Sequence, residues 1–274
     1  MATFVMSLAG LDPSGGAGLL ADIKTFEAYG LTGFGVCTAL TVQTDDELHA
    51  VEWLSAAKII AQAAPLLKKF PVRYCKIGIV AGPDAILEIL PALRAIRPGL
   101  QFVLDPVLKA SAGFAFHADS LRQWEQVLPH LLLLTPNYDE AVAMMNDPSG
   151  ENAARKMAGH CNVLLKGGHR PGKEGWDTLY DGGGQTDFAP PAPISSMEAG
   201  STITPGQPGA HLHQPVVYPK HGSGCVLSAA ITAALANSLS LERACREGKA
   251  YTYDYLQSSP SLLGHHLFKM QQPA

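Results

Sequence analysis

Charge is scarce in this sequence. Only 16% of its 274 residues are Asp, Glu, Lys or Arg, the formal net charge is −4, and the basic residues form no cluster. Nucleic acid is therefore not an expected main partner, because it is met by basic patches. No apolar run approaches the roughly 20 residues that span a bilayer, so no membrane partner is expected. Met1-Ala2-Thr3-Phe4 has no basic flank and no cleavage site, which argues against a signal peptide. Cysteine pairing is missing too. The five cysteines at 37, 75, 161, 225 and 245 are odd in number and include no C-x-x-C. That fits reduced thiols in the cytoplasm better than a disulfide framework or a zinc site.

What is present is length and apolarity. At 47% hydrophobic, the chain can fill a large core, and one α/β domain spanning 1–274 is the expected organisation. Short apolar, β-branched runs read as strands at 4–9, 35–42, 74–80, 102–104, 131–134 and 163–166. Helical patterns alternate with them at 19–29, 56–69, 83–96, 121–128, 138–146, 151–159, 225–237 and 241–257. Such alternation predicts a three-layer α/β fold, a mostly parallel central sheet with helices on both faces. Ligands on these sheets bind beyond the carboxyl ends of the strands. Gly10, Gln43, Asp105, Asn137 and Lys166 all follow predicted strands, so they are expected around one crevice.

The most informative segment is Lys220-His221-Gly222-Ser223-Gly224-Cys225, which runs directly into Val226-Leu227-Ser228-Ala229-Ala230-Ile231. Gly222 and Gly224 lack a Cβ, so the backbone can turn sharply and approach a ligand. The helix that follows points its unpaired N–H groups and positive dipole end at that ligand, which suits a phosphate. Cys225 stands at the helix start, where a thiol pKa is expected to fall. The alternative is a tight turn before a core helix with a structural cysteine. A second glycine-rich segment, Gly10-Leu11-Asp12-Pro13-Ser14-Gly15-Gly16-Ala17-Gly18, joins the first strand to the first helix. Its glycine spacing is not that of a dinucleotide-binding turn.

Taken together, GLDPSGGAGLLADIKTFEAYG, TALTVQ, LLKGGH and HGSGCVLSAAI resemble the hydroxymethylpyrimidine/phosphomethylpyrimidine kinases of thiamine biosynthesis, a branch of the ribokinase-like superfamily. The resemblance runs from residue 3 to about 258 apart from one stretch. It implies a ribokinase-like fold, ATP and Mg2+, and phosphoryl transfer to a pyrimidine alcohol and then to its monophosphate. Homodimers are common in that family, so a homodimer is the expected assembly.

The resemblance also assigns roles, each with an alternative in the residues themselves. Gly222, Ser223 and Gly224 would form the anion hole, with Cys225 as catalytic base where the wider superfamily has aspartate. Lys166 would contact the ATP phosphates, or merely extend from a strand end towards solvent. Asn137 and Glu140 match an N-x-x-E magnesium element, but Asn137 with Glu140 three residues on is equally a capping box. Asp105 is a further candidate for the metal or phosphate region. Gln43 offers donor and acceptor through one amide and would read the aminopyrimidine, with Gly10, Ala17 and Asp22 nearby. Asp22, four residues into a helix, could instead lie on the surface. Ile79 after Lys76-Ile77-Gly78 takes the place of a methionine usual in relatives, a conservative change at the pocket wall.

One region departs from the pattern. Residues 188–219 hold seven prolines and a single charged residue, Glu198. No period is visible, and an irregular inserted loop is expected, with its mouth near the phosphates. Trp176–Asp181 and Gln214–Tyr218 are expected to pair antiparallel across it. His211 and His213 inside it read as solvated histidines or, less simply, as a metal site. Two rival functions stand beside the leading one: a pyridoxal or pyridoxine kinase of the same fold, and a non-catalytic pyrimidine-binding protein.

Overall fold

A computed structural model describes residues 3–108, 121–168, 170–190 and 216–268. Nine strands form one sheet in the order β3-β2-β1-β4-β5-β6-β7-β8-β9. The strands are β1 (Phe4–Leu11), β2 (Thr32–Gln43), β3 (Leu48–Trp53), β4 (Tyr74–Ile77), β5 (Gln101–Leu104), β6 (Leu133–Leu134), β7 (Asn162–Leu165), β8 (Asp177–Asp181) and β9 (Gly184–Phe188). The central six, from β2 across the sheet to β7, pair parallel. An antiparallel strand, β3, closes one edge, and the antiparallel pair β8 and β9 closes the other. The chain runs outward from β1 to β2 and then returns to β4 on the other side of β1. Ligands bind outside the carboxyl ends of strands at such a reversal.

Two cores flank the sheet, as expected of a three-layer fold. One packs α2 (Ala56–Lys69), α3 (Pro83–Ile96), α4 (Leu121–Val127), α5 (Tyr138–Met145) and α6 (Gly150–Met157) on one face. The other packs α1 (Gly18–Ala28), α7 (Ser223–Ala236) and α8 (Leu241–Gln257) on the opposite face. Helix α7 is almost wholly buried and apolar, so it is the central helix of its layer rather than an amphipathic surface helix.

Strand alternation explains where the polar residues gather. On the α7 face, Val5, Tyr74, Val103, Leu133 and Leu164 belong to the apolar core. Two residues further along each strand direction, on the same face, stand Ser7, Lys76, Asp105, Thr135 and Lys166. These polar positions are staggered: Ser7 and Lys76 pair within β1 and β4, level with Val103 of β5, while Asp105, Thr135 and Lys166 follow directly on the ends of β5, β6 and β7.

The structure corrects the expectation around the inserted stretch. Trp176–Asp181 does not pair with residues 216–218, the described part of its expected partner. β8 turns back through Gly182 and Gly183, both at positive φ, and pairs with β9. Two consecutive glycines are a hairpin signal, and a local hairpin needs no long loop closure. Phe188 therefore lies buried in a strand rather than in a loop. Residues 216–219 carry no regular structure, with Tyr218 N–H bonded to the Leu256 carbonyl of α8. Residues 191–215, including His211 and His213, lie outside the described residues, as does His169.

Candidate active site

A cleft of about 1220 Å³ opens at the carboxyl ends of the central strands. Its walls carry Gly10, Ala17, Gln43, Ile79, Asp105, Asn137, Glu140, Lys166, Gly222, Ser223, Gly224 and Cys225. Every predicted site residue except Asp22 therefore lines a single cavity.

The anion-binding end is built by the start of α7. The helix begins two residues earlier than its apolar pattern suggests, at Ser223, with Gly222 as its N-cap at φ +73°. The first intrahelical bond runs from Val226 N–H to the Gly222 carbonyl. The N–H groups of Ser223, Gly224 and Cys225 therefore precede any helical acceptor and face the cleft end with the dipole behind them. Gly222 also fits closely against the first loop: a Cβ there would overlap the Gly16 carbonyl and lie 2.6 Å from Ala17 Cα.

That contact is tied by a pair that the motifs did not single out. Asp12 accepts hydrogen bonds from Ser14 N–H (2.8 Å), Ser14 Oγ (2.9 Å) and Ala17 N–H (2.8 Å), and its Oδ2 lies 2.9 Å from His221 Nε2. Burial opposes the charge on Asp12, but the bonds from His221, Ser14 and Ala17 outweigh it and hold the carboxyl below its ordinary range. The available signal was its position in the first glycine-rich loop, opposite the only histidine adjoining the second.

Lys166, just beyond β7, reaches Asp105 Oδ1 at 2.7 Å and Glu140 Oε2 at 3.7 Å. Burial disfavours its charge, yet Asp105 and Glu140 hold the ammonium above its ordinary range. A Cβ on Gly224 would stand 3.4 Å from Lys166 Nζ and 3.6 Å from Asp105 Oδ2, so this cluster abuts the start of α7. Asn137 and Glu140 do form a capping box: Glu140 N–H donates to Asn137 Oδ1 (2.8 Å), and Asn137 N–H donates to Glu140 Oε2 (2.7 Å). The capping does not remove Glu140 from the cleft. Burial pushes its carboxyl up to about 7, with Asp105 adding to the rise and Lys166 opposing it.

The oxygen-only pair Asp105 and Glu140 fits Mg2+, which is commonly held by one or two carboxylates together with waters and substrate phosphates. Among the described residues no group of three or more His, Cys, Asp or Glu could hold a metal ion by itself. An ion here would complete its shell with waters and substrate phosphate oxygens.

The other end of the cleft suits a flat ring. Ile79 closes over Gly10, where a Cβ would lie 2.5 Å from Ile79 Cδ1. Gln43 ends β2 at a register shift against β3 and lines the cleft with Ala17 and Gly10.

Two expectations require correction. Asp22 neither lines the cleft nor lies on the surface. It is fully buried behind the wall, where Lys76 Nζ reaches both its oxygens at 2.9 and 2.8 Å and Ser7 Oγ donates at 2.5 Å. The Cys225 thiol is not lowered by its helix position. Burial pushes it up to about 11, with Asp22 and Asp105 adding to the rise, while Lys76 and the Gly18 N–H work the other way. Desolvation of a thiolate favours the neutral form.

Comparisons with known proteins point the same way. The family model for phosphomethylpyrimidine kinase matches residues 12–205 and 202–270. A hydroxymethylpyrimidine/phosphomethylpyrimidine kinase of Rhizobium meliloti is 35% identical, with the alignment covering 96% of this chain and 93% of that protein. One from Escherichia coli is 30% identical over 95% and 93%. Among solved structures, a phosphomethylpyrimidine kinase from Clostridium difficile superimposes with a TM-score of 0.69 at 28% identity, covering 91% of this chain and 97% of that one. A pyridoxal kinase from Bacillus subtilis, solved as an ADP complex, gives 0.76 at 24% identity over 98% of both chains and shows the shared fold. A sequence match of this length, on a fold whose cleft collects both glycine-rich motifs, leaves one assignment: the chain belongs to the phosphomethylpyrimidine kinase family.

Proposed function

We propose that the protein uses ATP to phosphorylate 4-amino-5-hydroxymethyl-2-methylpyrimidine and then the resulting monophosphate. The observation that carries this reading is the cleft itself, which places the open N–H groups of Ser223, Gly224 and Cys225 beside Lys166 at one end and Gln43 and Ile79 at the other. Phosphoryl transfer needs positioning and charge stabilisation more than covalent help.

In the first step the hydroxymethyl oxygen attacks the γ-phosphorus and the bond to the β-phosphate oxygen breaks. Cys225, in its thiolate form, takes the alcohol proton and becomes the thiol. The N–H groups at the start of α7 stabilise charge on the equatorial oxygens. Lys166 faces the phosphates as a fixed cation. Mg2+, when bound through Asp105 and Glu140, would neutralise phosphate charge. Gln43 holds the aminopyrimidine edge, and Gly10, Ala17 and Ile79 close around the ring. In the second step the acceptor is a phosphate oxygen already ionised at neutral pH, so a strong base is not required.

We read 1–274 as one kinase domain, in the cytoplasm, where five unpaired cysteines are at home, and as a homodimer, which light scattering would check. An ATP-coupled assay with the pyrimidine alcohol, its monophosphate and pyridoxal side by side tests the substrate. Preferred turnover of the two pyrimidines is expected. Preferred turnover of pyridoxal would move the assignment to that alcohol, and ATP consumption with none of them would leave a binding protein.

A further inference from the structure

The pair Lys76–Asp22 has no role in the reaction as described so far. Both side chains are 0% exposed. In β4 the neighbours of Lys76, Cys75 and Ile77, belong to the opposite core, so Lys76 alone projects its charge into the α7 layer. It stands in direct register with Ser7 of β1, whose hydroxyl donates to Asp22 Oδ2. Three elements, β1, β4 and α1, thus fix one ammonium in place. Nothing in stability calls for it: an apolar pair of similar volume at such a site is often neutral or stabilising.

The field is directed at the cleft. A Cβ on Gly78 would lie 3.1 Å from Lys76 Nζ, and Gly78, Lys76 and Cys225 are together in the cleft wall. The charged and titratable groups around Cys225 are Lys76 on β4, Asp22 on α1, Asp105 after β5, Lys166 after β7 and Tyr255 on α8. Of these, Lys76 acts most strongly to favour negative charge on the sulfur. Lys166 is already engaged by two carboxylates.

We propose that Lys76, fixed by Asp22 and Ser7, is a positioning residue whose buried ammonium is the counter-charge for the Cys225 thiolate, which forms when the thiol proton leaves to solvent in the cleft and is neutralised when the sulfur takes the alcohol proton. The inference rests on Cys225 being the base. The thiol is half-buried and stands above its ordinary range even with Lys76 present, so the ammonium acts by limiting that rise: it is preorganised, and no solvent has to reorient when charge appears. Asp22 then sets the strength of the ammonium's field, since it offsets part of the charge.

The test reads the thiol directly rather than turnover. Alkylation of Cys225 by iodoacetamide is followed by mass spectrometry of its peptide in the intact, nucleotide-free protein with chelator present, between pH 7 and 11. Well below the pH at which a thiol titrates, its ionised fraction changes about tenfold when its pKa moves by one. Lys76→Met is expected to slow alkylation at fixed pH by about threefold or more, and Asp22→Asn to accelerate it by a similar factor. Opposite responses from two partners of one ion pair are a mark of charge, because loss of packing would move both the same way. Lys76→Met leaves the Asp22 carboxyl buried without its cation, so circular dichroism must show the variant folded. If it is not folded, Lys76→Met/Asp22→Asn carries the test, and slower alkylation than wild type is expected because Lys76 outweighs Asp22 at the sulfur. Single variants that respond in the same direction or not at all, or a double variant that alkylates at the wild-type rate, would overturn the inference. Full activity of Cys225→Ala would instead remove the base role while leaving the alkylation profiles to be judged on their own.

Discussion

Gly222→Ala tests whether the two glycine-rich segments act as one cradle. At φ +73° an L-residue loses about 1–2 kcal/mol relative to glycine. The new Cβ would also overlap the Gly16 carbonyl and approach Ala17 Cα to 2.6 Å. Both contacts are backbone, so no side chain can swing away, and forced displacement of packed atoms costs about 1–3 kcal/mol. Together these amount to about 3 kcal/mol. At about 2–4 °C per kcal/mol for a chain of this size, the melting temperature should fall by about 6–12 °C. Gly99→Ala is the control. Its φ is +84° but no atom lies within 4 Å of the added Cβ, so it carries strain alone, about 1 kcal/mol, and a fall of about 2–4 °C. The functional contrast is sharper. Relief of the Gly222 overlap must separate the anion-binding turn from the loop at Gly16 and Ala17, and a misplacement near about 1 Å costs about 100-fold in rate. Differential scanning fluorimetry and steady-state kinetics on both variants decide. If Gly222→Ala melts and turns over like Gly99→Ala, the two segments are not held in contact and the cradle as described is wrong.

Two further predictions follow from single contacts. Gln43→Ala leaves the pyrimidine edge without a partner, at about 1–3 kcal/mol, so KM for the pyrimidine alcohol should rise about tenfold or more while KM for ATP stays near wild type; parallel rises would make Gln43 a support for the β2–β3 turn. Asp12→Asn should destabilise the protein by about 1–3 kcal/mol at neutral pH, and because the folded carboxyl is held below its ordinary value of 3.8, that contribution is complete above about pH 4 and is lost as the pH falls through the folded value. Chemical denaturation at pH 7 and pH 3 should show the gap between variant and wild type closing in acid, and a constant gap would mean the charge on Asp12 is not what His221 and Ala17 bind.

The layered architecture was legible because the parallel strands are buried on both faces and read as short apolar runs between helices. β3 was missed for the opposite reason: its residues are exposed or half-buried, and an edge strand of that kind carries no apolar signature. The pairing of β8 was misread because the prolines beyond it mask a stronger local signal, Gly182-Gly183. Within the site, glycines and end-of-strand positions located almost every wall residue. Lys76 was invisible as a functional group because a lysine inside the run Tyr74–Val80 looks like a strand-edge charge until β1 and α1 are seen to enclose it. Asp22 failed similarly: its motif put it near the site, but only register and packing reveal that it faces Lys76 and not the cleft. The direction in which the Cys225 thiol moves depended on burial, which helix position cannot supply.

Cys225 as the base at the start of α7 is the claim on which the mechanism rests. Cys225→Ala, assayed by single-turnover transfer from ATP to the pyrimidine alcohol and, separately, to its monophosphate, measures this directly. The alcohol step should slow by about 100-fold or more with KM little changed, while the phosphate step, whose acceptor is already ionised, should slow much less. Equal losses in both steps, or wild-type transfer to the alcohol, would contradict it.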